Sequence, residues 1–172
     1  MPALSCKNSM EPRVLILAYG NPLRGDDGVA WRVAELLREQ LSSDDAEIVC
    51  AHQLAPEFAE IVSRVGGVIF IDARENGEPG KIYQTVIDNA ADPIYGTHVL
   101  TSAQLMMLCD VLYGCRPEAY EISVSGECFS HGEHLSFRLN SALPLIAEAA
   151  VKRVRQFTRE RQKHCGSEME VR

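Results

Sequence analysis

The sequence predicts a three-layer α/β/α domain on a largely parallel sheet covered on both faces. Strand-like and helix-like segments alternate along the chain, as in sheets whose parallel strands are joined by crossover helices. Two of the strand segments, Arg13 to Tyr19 and Val68 to Ala73, are apolar runs of the kind found where a strand is buried on both sides. No repeat, low-complexity tract or linker divides the 172 residues, which suffice for one domain with a full core.

The elements follow in order. Arg13 to Tyr19 is the first strand, broken by Gly20-Asn21-Pro22. From Gly28 to Leu41, Val29, Val33, Leu36, Leu37 and Leu41 recur at helical spacing, and Asp26 or Asp27 is expected to cap that helix. Glu47 to Ala51 is a second strand, and Pro56 to Val65 a second helix with proline near its first turn. Gly66-Gly67 resets the chain for Val68 to Ala73. Lys81 to Ile87 alternates and is placed at a sheet edge. Asp88 to Leu100 reads as a loop. Thr101 with Gln104 forms a capping-box pattern for a third helix with a stripe of Leu105, Leu108, Cys109 and Leu112, ended by Gly114 and Pro117. Tyr120 to Ser125 is the last strand, and Leu139 to Gln162 a long terminal helix with a kink expected at Pro144. The domain is expected over residues 13–163, between flexible termini at 1–12 and 164–172.

Composition excludes several functions. No stretch approaches the ~20 apolar residues of a membrane span. Met1 to Pro12 lacks the basic region and apolar run of a signal peptide, which points to the cytoplasm, and Met10 offers an alternative start. A net charge of −7 argues against nucleic-acid binding. Between Lys152 and Lys163, six basic residues face one acid, Glu160, and are read as a solvated helix end. Cys6, Cys50, Cys109, Cys115, Cys128 and Cys165 form no C-x-x-C pair and no zinc pattern, so reduced thiols are expected, with Cys50 and Cys109 in the core.

Sites in open α/β sheets lie beyond the carboxyl ends of the strands. There this sequence delivers Gly20-Asn21-Pro22-Leu23-Arg24-Gly25-Asp26-Asp27-Gly28, then Asp72 at the end of VIFIDA, then His98 in the loop before the capped helix. Two carboxylates and an imidazole suit a divalent ion such as nickel, zinc, iron or manganese, and three ligands leave positions open for water or substrate. The same trio supports general acid–base hydrolysis without a metal. Asp27 alone could simply cap a helix. Asp72 follows four apolar residues and needs a partner or ligand, because burying a lone carboxylate is costly.

Other motifs fail. Gly20, Gly25 and Gly28 do not make G-x-G-x-x-G, and neither a P-loop nor a G-x-S-x-G elbow is present. His131 and His134 frame H-G-E-H, too short for H-E-x-x-H, and are expected to face solvent.

The stretch VLILAYGNPLRGDDGVAWRV, Val14 to Val33, resembles the N-terminal signature of the hydrogenase maturation proteases, and the resemblance continues through Ile71 to Ala73, Thr97-His98 and Ser125-Gly126-Glu127. It covers roughly Arg13 to Arg153. It implies a twisted, mostly parallel five-stranded sheet, phosphorylase/hydrolase-like, and a peptidase of aspartic or metal-assisted type. Asp27 and Asp72 would be catalytic, and with His98 they would engage nickel carried by the substrate. The implied partner is a [NiFe]-hydrogenase large-subunit precursor whose C-terminal extension is removed after nickel insertion, by a monomer. Asn21, Gln53 and the backbone amides after Gly25 are candidates for binding substrate. Position 27 is Asp where some relatives have Glu, and Ala30 stands where a glycine is expected. The alternative is a non-catalytic nickel- or precursor-binding accessory protein.

Overall fold

The computed structural model describes residues 14–88 and 100–167, with side chains to residue 159. Five strands, β1 (Val14–Tyr19), β2 (Glu47–Ala51), β3 (Gly67–Arg74), β4 (Ile82–Val86) and β5 (Glu118–Ser125), lie in the order β2-β1-β3-β5-β4. The first four in that order are parallel, and β4 runs antiparallel to β5 at the edge. The helices are α1 (Val29–Gln40), α2 (Phe58–Ser63), α3 (Ser102–Tyr113) and α4 (Phe137–Ser167), and a 3₁₀ turn spans Gly25–Gly28.

The period-2 alternation of the central strands β1, β3 and β5 sends their side chains into two separate cores. Val14, Ile16, Ala18, Ile69, Ile71, Ile122 and Val124 pack with α1 and α4. Leu15, Leu17, Val68, Phe70 and Ala119 pack with α2 and α3 through Ala59, Val62, Leu105, Met106 and Cys109. Each fully buried Leu, Ile or Phe contributes about 1.5–3 kcal/mol by leaving water, which makes the central strands the least replaceable part of the fold. Gly67 lets α4 cross the start of β3 closely, because a Cβ there would stand 2.9 Å from the Phe157 ring. The predicted three layers and edge position of β4 are therefore present.

Local details depart from expectation. Neither Asp26 nor Asp27 caps α1. The N-cap is Gly28, with no side-chain hydrogen bond, because both carboxylates are engaged elsewhere. Helix α2 is shorter than Pro56 to Val65, since the N–H groups of Phe58, Ala59 and Glu60 bond three residues back in a 3₁₀ manner. In α3 the capping box of Thr101 and Gln104 forms and Gly114 closes the helix in the left-handed region at φ 64°. Its buried stripe uses Met106, however, and Leu112 is 59% exposed. Cys109 is in the core, but Cys50 is only half-buried on edge strand β2, where the Arg38 guanidinium reaches its sulfur. No disulfide joins Cys50, Cys109, Cys115 or Cys128. His131 and His134 are exposed. Arg153 stacks over the Tyr120 ring, while Lys152, Arg155 and Arg159 face solvent. No helix among the described residues is long and apolar enough to cross a membrane.

Candidate active site

The site is assembled by the turn after β1. Gly20, at φ 139°, takes a conformation that side chains disfavour, and a Cβ there would lie 2.1 Å from the Asp27 carbonyl oxygen. The chain then folds on itself: Leu23 N–H donates to Asn21 Oδ1 at 2.9 Å, Arg24 N–H to the Asn21 carbonyl at 3.0 Å, and Asn21 N–H to Asp27 Oδ2 at 2.9 Å. The Trp31 indole N–H donates to the Gly20 carbonyl at 2.8 Å, tying α1 to the same turn. Gly28 is needed because a Cβ would stand 2.9 Å from Pro22 Cα. The Asp27 carboxylate is thereby fixed above the end of β1.

The two adjacent aspartates divide the work. Asp26 is fully buried, and its carboxylate accepts three backbone N–H groups: Glu127 at 2.7 Å, Cys128 at 2.9 Å and Ser136 at 2.6 Å. It welds the turn to the segment between β5 and α4. Gly126 leaves room there, since a Cβ would push on the Phe129 ring and stand 3.0 Å from the Asp26 Cβ. Sequence reasoning missed this role.

Asp72 lies on β3 on the face turned toward α2 and α3. Tyr19 of β1 and Glu121 of β5 share that face, by the alternation that buries Leu17, Phe70 and Ala119 on it. Burial pushes the Asp72 carboxyl up to about 7, and the charges of Asp27 and Glu121 push the same way, while the Ala73 amide and the Tyr19 hydroxyl oppose them. Burial, Asp72 and Glu121 in turn drive the Tyr19 hydroxyl to a far higher pKa, so it stays protonated and is a fixed donor for the Asp72 carboxyl. Glu121 accepts from the Ser102 hydroxyl at 2.5 Å, and Ser102 is the 4% exposed first residue of α3. The structure thus brings Asp27 and Asp72 into electrostatic contact and adds Tyr19 and Glu121, which the sequence reading did not select. The alternation of YEISVS hid Glu121 as an ordinary half-polar strand position.

His98 falls outside the described residues. Among those described, no group of three or more His, Cys, Asp and Glu side chains could hold a metal ion. The amides of Gly25, Asp26 and Asp27 are not free for substrate, since they donate to the carbonyls of Gly132, Cys128 and Arg24. Asn21 spends its side-chain oxygen within its own turn. Gln53 is exposed beyond β2, beside His52, whose ring lies 5.6 Å from Trp31.

No family model and no curated protein matches the sequence. Solved structures do match the fold. The hydrogenase maturating endopeptidase HybD from E. coli is 21% identical with a TM-score of 0.65, over 84% of this chain and 93% of that one. The [NiFe] hydrogenase maturation protease HycI from Thermococcus kodakarensis KOD1 is 21% identical with a TM-score of 0.68, over 86% and 95%. The hydrogenase 2 maturation peptidase from Thaumarchaeota archaeon SCGC_AB-539-E09 is 20% identical with a TM-score of 0.62, over 83% and 97%. The chain has the fold of these maturation proteases.

Proposed function

We propose that the chain is a hydrogenase maturation endopeptidase that removes the C-terminal extension of a nickel-loaded [NiFe]-hydrogenase large-subunit precursor. The observation that carries this reading is the convergence of Asp27 and Asp72, from two separate segments, at the carboxyl end of a sheet with the fold of solved maturation proteases. Nickel belongs to the substrate. Asp27, Asp72 and His98 complete its coordination, and in doing so place the scissile peptide beside the carboxylates, which supplies proximity. In the free protein Asp72 keeps a proton to about pH 7. The arriving cation displaces that proton, so docking is coupled to proton release. Water then adds to the peptide carbonyl carbon with its proton passing to a carboxylate, and the leaving amine takes a proton as the C–N bond breaks.

The test is an intact-mass assay of a large-subunit precursor, prepared with and without nickel and mixed with catalytic amounts of the protein. Loss of one C-terminal peptide from the nickel-loaded form alone, and no loss with Asp72→Ala, is expected. Stoichiometric binding with no mass change would replace the peptidase by a non-catalytic accessory protein.

A further inference from the structure

A groove of about 490 Å³ runs along the carboxyl end of the sheet, between the turn Glu78 to Lys81 and the first turns of α4. Its α4 wall is one helical stripe, Phe137, Arg138, Ser141, Ala142 and Leu145, with small residues in the middle and large apolar ones at both ends. Phe137 is 86% exposed and Leu145 59% exposed. Scattered apolar residues on a surface are ordinary, but two flanking one slot in a single helical stripe make a hydrophobic seat.

The charges in and beside the slot point to its occupant. Lys81 and Arg138 line it against one acid, Glu78. Among the described residues neither Lys81 nor Arg138 forms an ion pair with a carboxylate. Lys81 Nζ also stands 5.5 Å from the Tyr83 ring, over which the Arg74 guanidinium lies at 4.4 Å, likewise without a carboxylate partner among the described residues. Arg74 is two residues beyond Asp72 on β3, but the stretch from it to Lys81 also carries Glu75 and Glu78. The positive excess therefore sits in the groove itself, where Lys81 and Arg138 face Glu78 alone on a chain whose net charge is −7. Site and groove are mechanically joined. Asp26, next to Asp27, holds the Ser136 amide, and Phe137 follows directly.

We propose that this groove docks a segment of the substrate protein that carries carboxylate side chains beside apolar ones, with Phe137 and Leu145 gripping the apolar groups and Lys81 and Arg138 the acids. The proposal rests on the peptidase reading for the identity of the substrate, but the groove is tested without it. Two fluorescein-labelled heptapeptides, Gly-Glu-Leu-Glu-Leu-Glu-Gly and the same peptide with Lys for Glu, are titrated with the full chain and followed by anisotropy. The Glu peptide binds, and Phe137→Ser or the pair Lys81→Glu and Arg138→Glu weakens it about tenfold, or roughly 1.4 kcal/mol. The Lys peptide binds at least about tenfold more weakly than the Glu peptide, and added salt weakens the Glu peptide. Equal binding of both peptides, or no loss in the variants, overturns the groove. In the precursor assay the charge-reversed pair raises KM with kcat held. Cleavage with an unchanged KM would sink the groove and leave the peptidase intact. Peptide binding as described, with no precursor processed, would sink the peptidase and leave the groove.

Discussion

The Asp26 carboxylate accepts the Ser136 amide at 2.6 Å across 110 residues of chain. With Glu127 and Cys128 it satisfies three backbone donors that would otherwise be buried without partners. Asp26→Ala is therefore expected to cost about 3 kcal/mol or more of stability, since several donors are orphaned at once. Asp26→Asn keeps the shape and one acceptor oxygen but presents an amide N–H₂ to at least one donor, so its loss should be similar. Urea denaturation of both variants checks this. A midpoint unchanged from the parent would show that the clamp holds nothing.

Asp72 makes stability depend on pH with an unusual sign. Its ordinary value of 3.8 rises to about 7 in the folded chain. Below about pH 4 the carboxyl is protonated in both states and contributes nothing. Between 4 and 7 the unfolded chain loses the proton while the folded chain keeps it, so stability falls as pH rises, and above 7 the whole cost is present. That cost is roughly 4 kcal/mol at most. Asp72→Asn removes it. The variant's stability relative to the parent should be greater at pH 8 than at pH 5, measured by urea midpoints. Parallel pH profiles would show that Asp72 is not held protonated.

Local patterns were legible in the sequence, and distant partnerships were not. The apolar runs of β1 and β3 announce strands buried on both faces, and Thr101 with Gln104 announces its cap, because each signal lies within a few residues. Asp27 and Asp72 were legible as polar residues at strand ends. Asp26 read as a helix cap because its partners lie more than 100 residues away. Cys50 read as core because an apolar run does not say whether its strand is central or at an edge. Leu112 read as buried because helical spacing gives a face but not where the neighbouring helix ends.

Gly20 is the point at which the turn is most sensitive. A methyl group at φ 139° would be strained, and it would press on the Asp27 carbonyl, so Asp27 must move. Gly20→Ala should cost on the order of 2 kcal/mol in stability. Under the peptidase reading it should also lower processing of nickel-loaded precursor by at least about a hundredfold, as expected when a catalytic group is displaced by ~1 Å. Full activity in a folded Gly20→Ala variant would mean that Asp27 takes no part.

Glu121 and Ser102 join the sheet to the amino end of α3 beside Asp72. Their hydrogen bond, at 2.5 Å between a carboxylate and a buried hydroxyl, is charge-assisted and should contribute about 1.5–3 kcal/mol. Ser102→Ala leaves Glu121 without that donor, and Glu121→Ala leaves the hydroxyl buried without its acceptor, so each should destabilise the fold. Removing both should cost less than the two losses together, because neither group is then stranded. Glu121→Gln should recover much of the loss, since its amide oxygen still accepts, and it also removes one of the charges that raise Asp72. A double-mutant cycle on thermal stability, with the pH profile of Glu121→Gln beside it, separates the two effects. Strict additivity of Ser102→Ala and Glu121→Ala would mean the pair is not coupled. A downward shift of the Asp72 transition in Glu121→Gln is the expected electrostatic result, and an unmoved transition would place Glu121 too far from Asp72 to act on it.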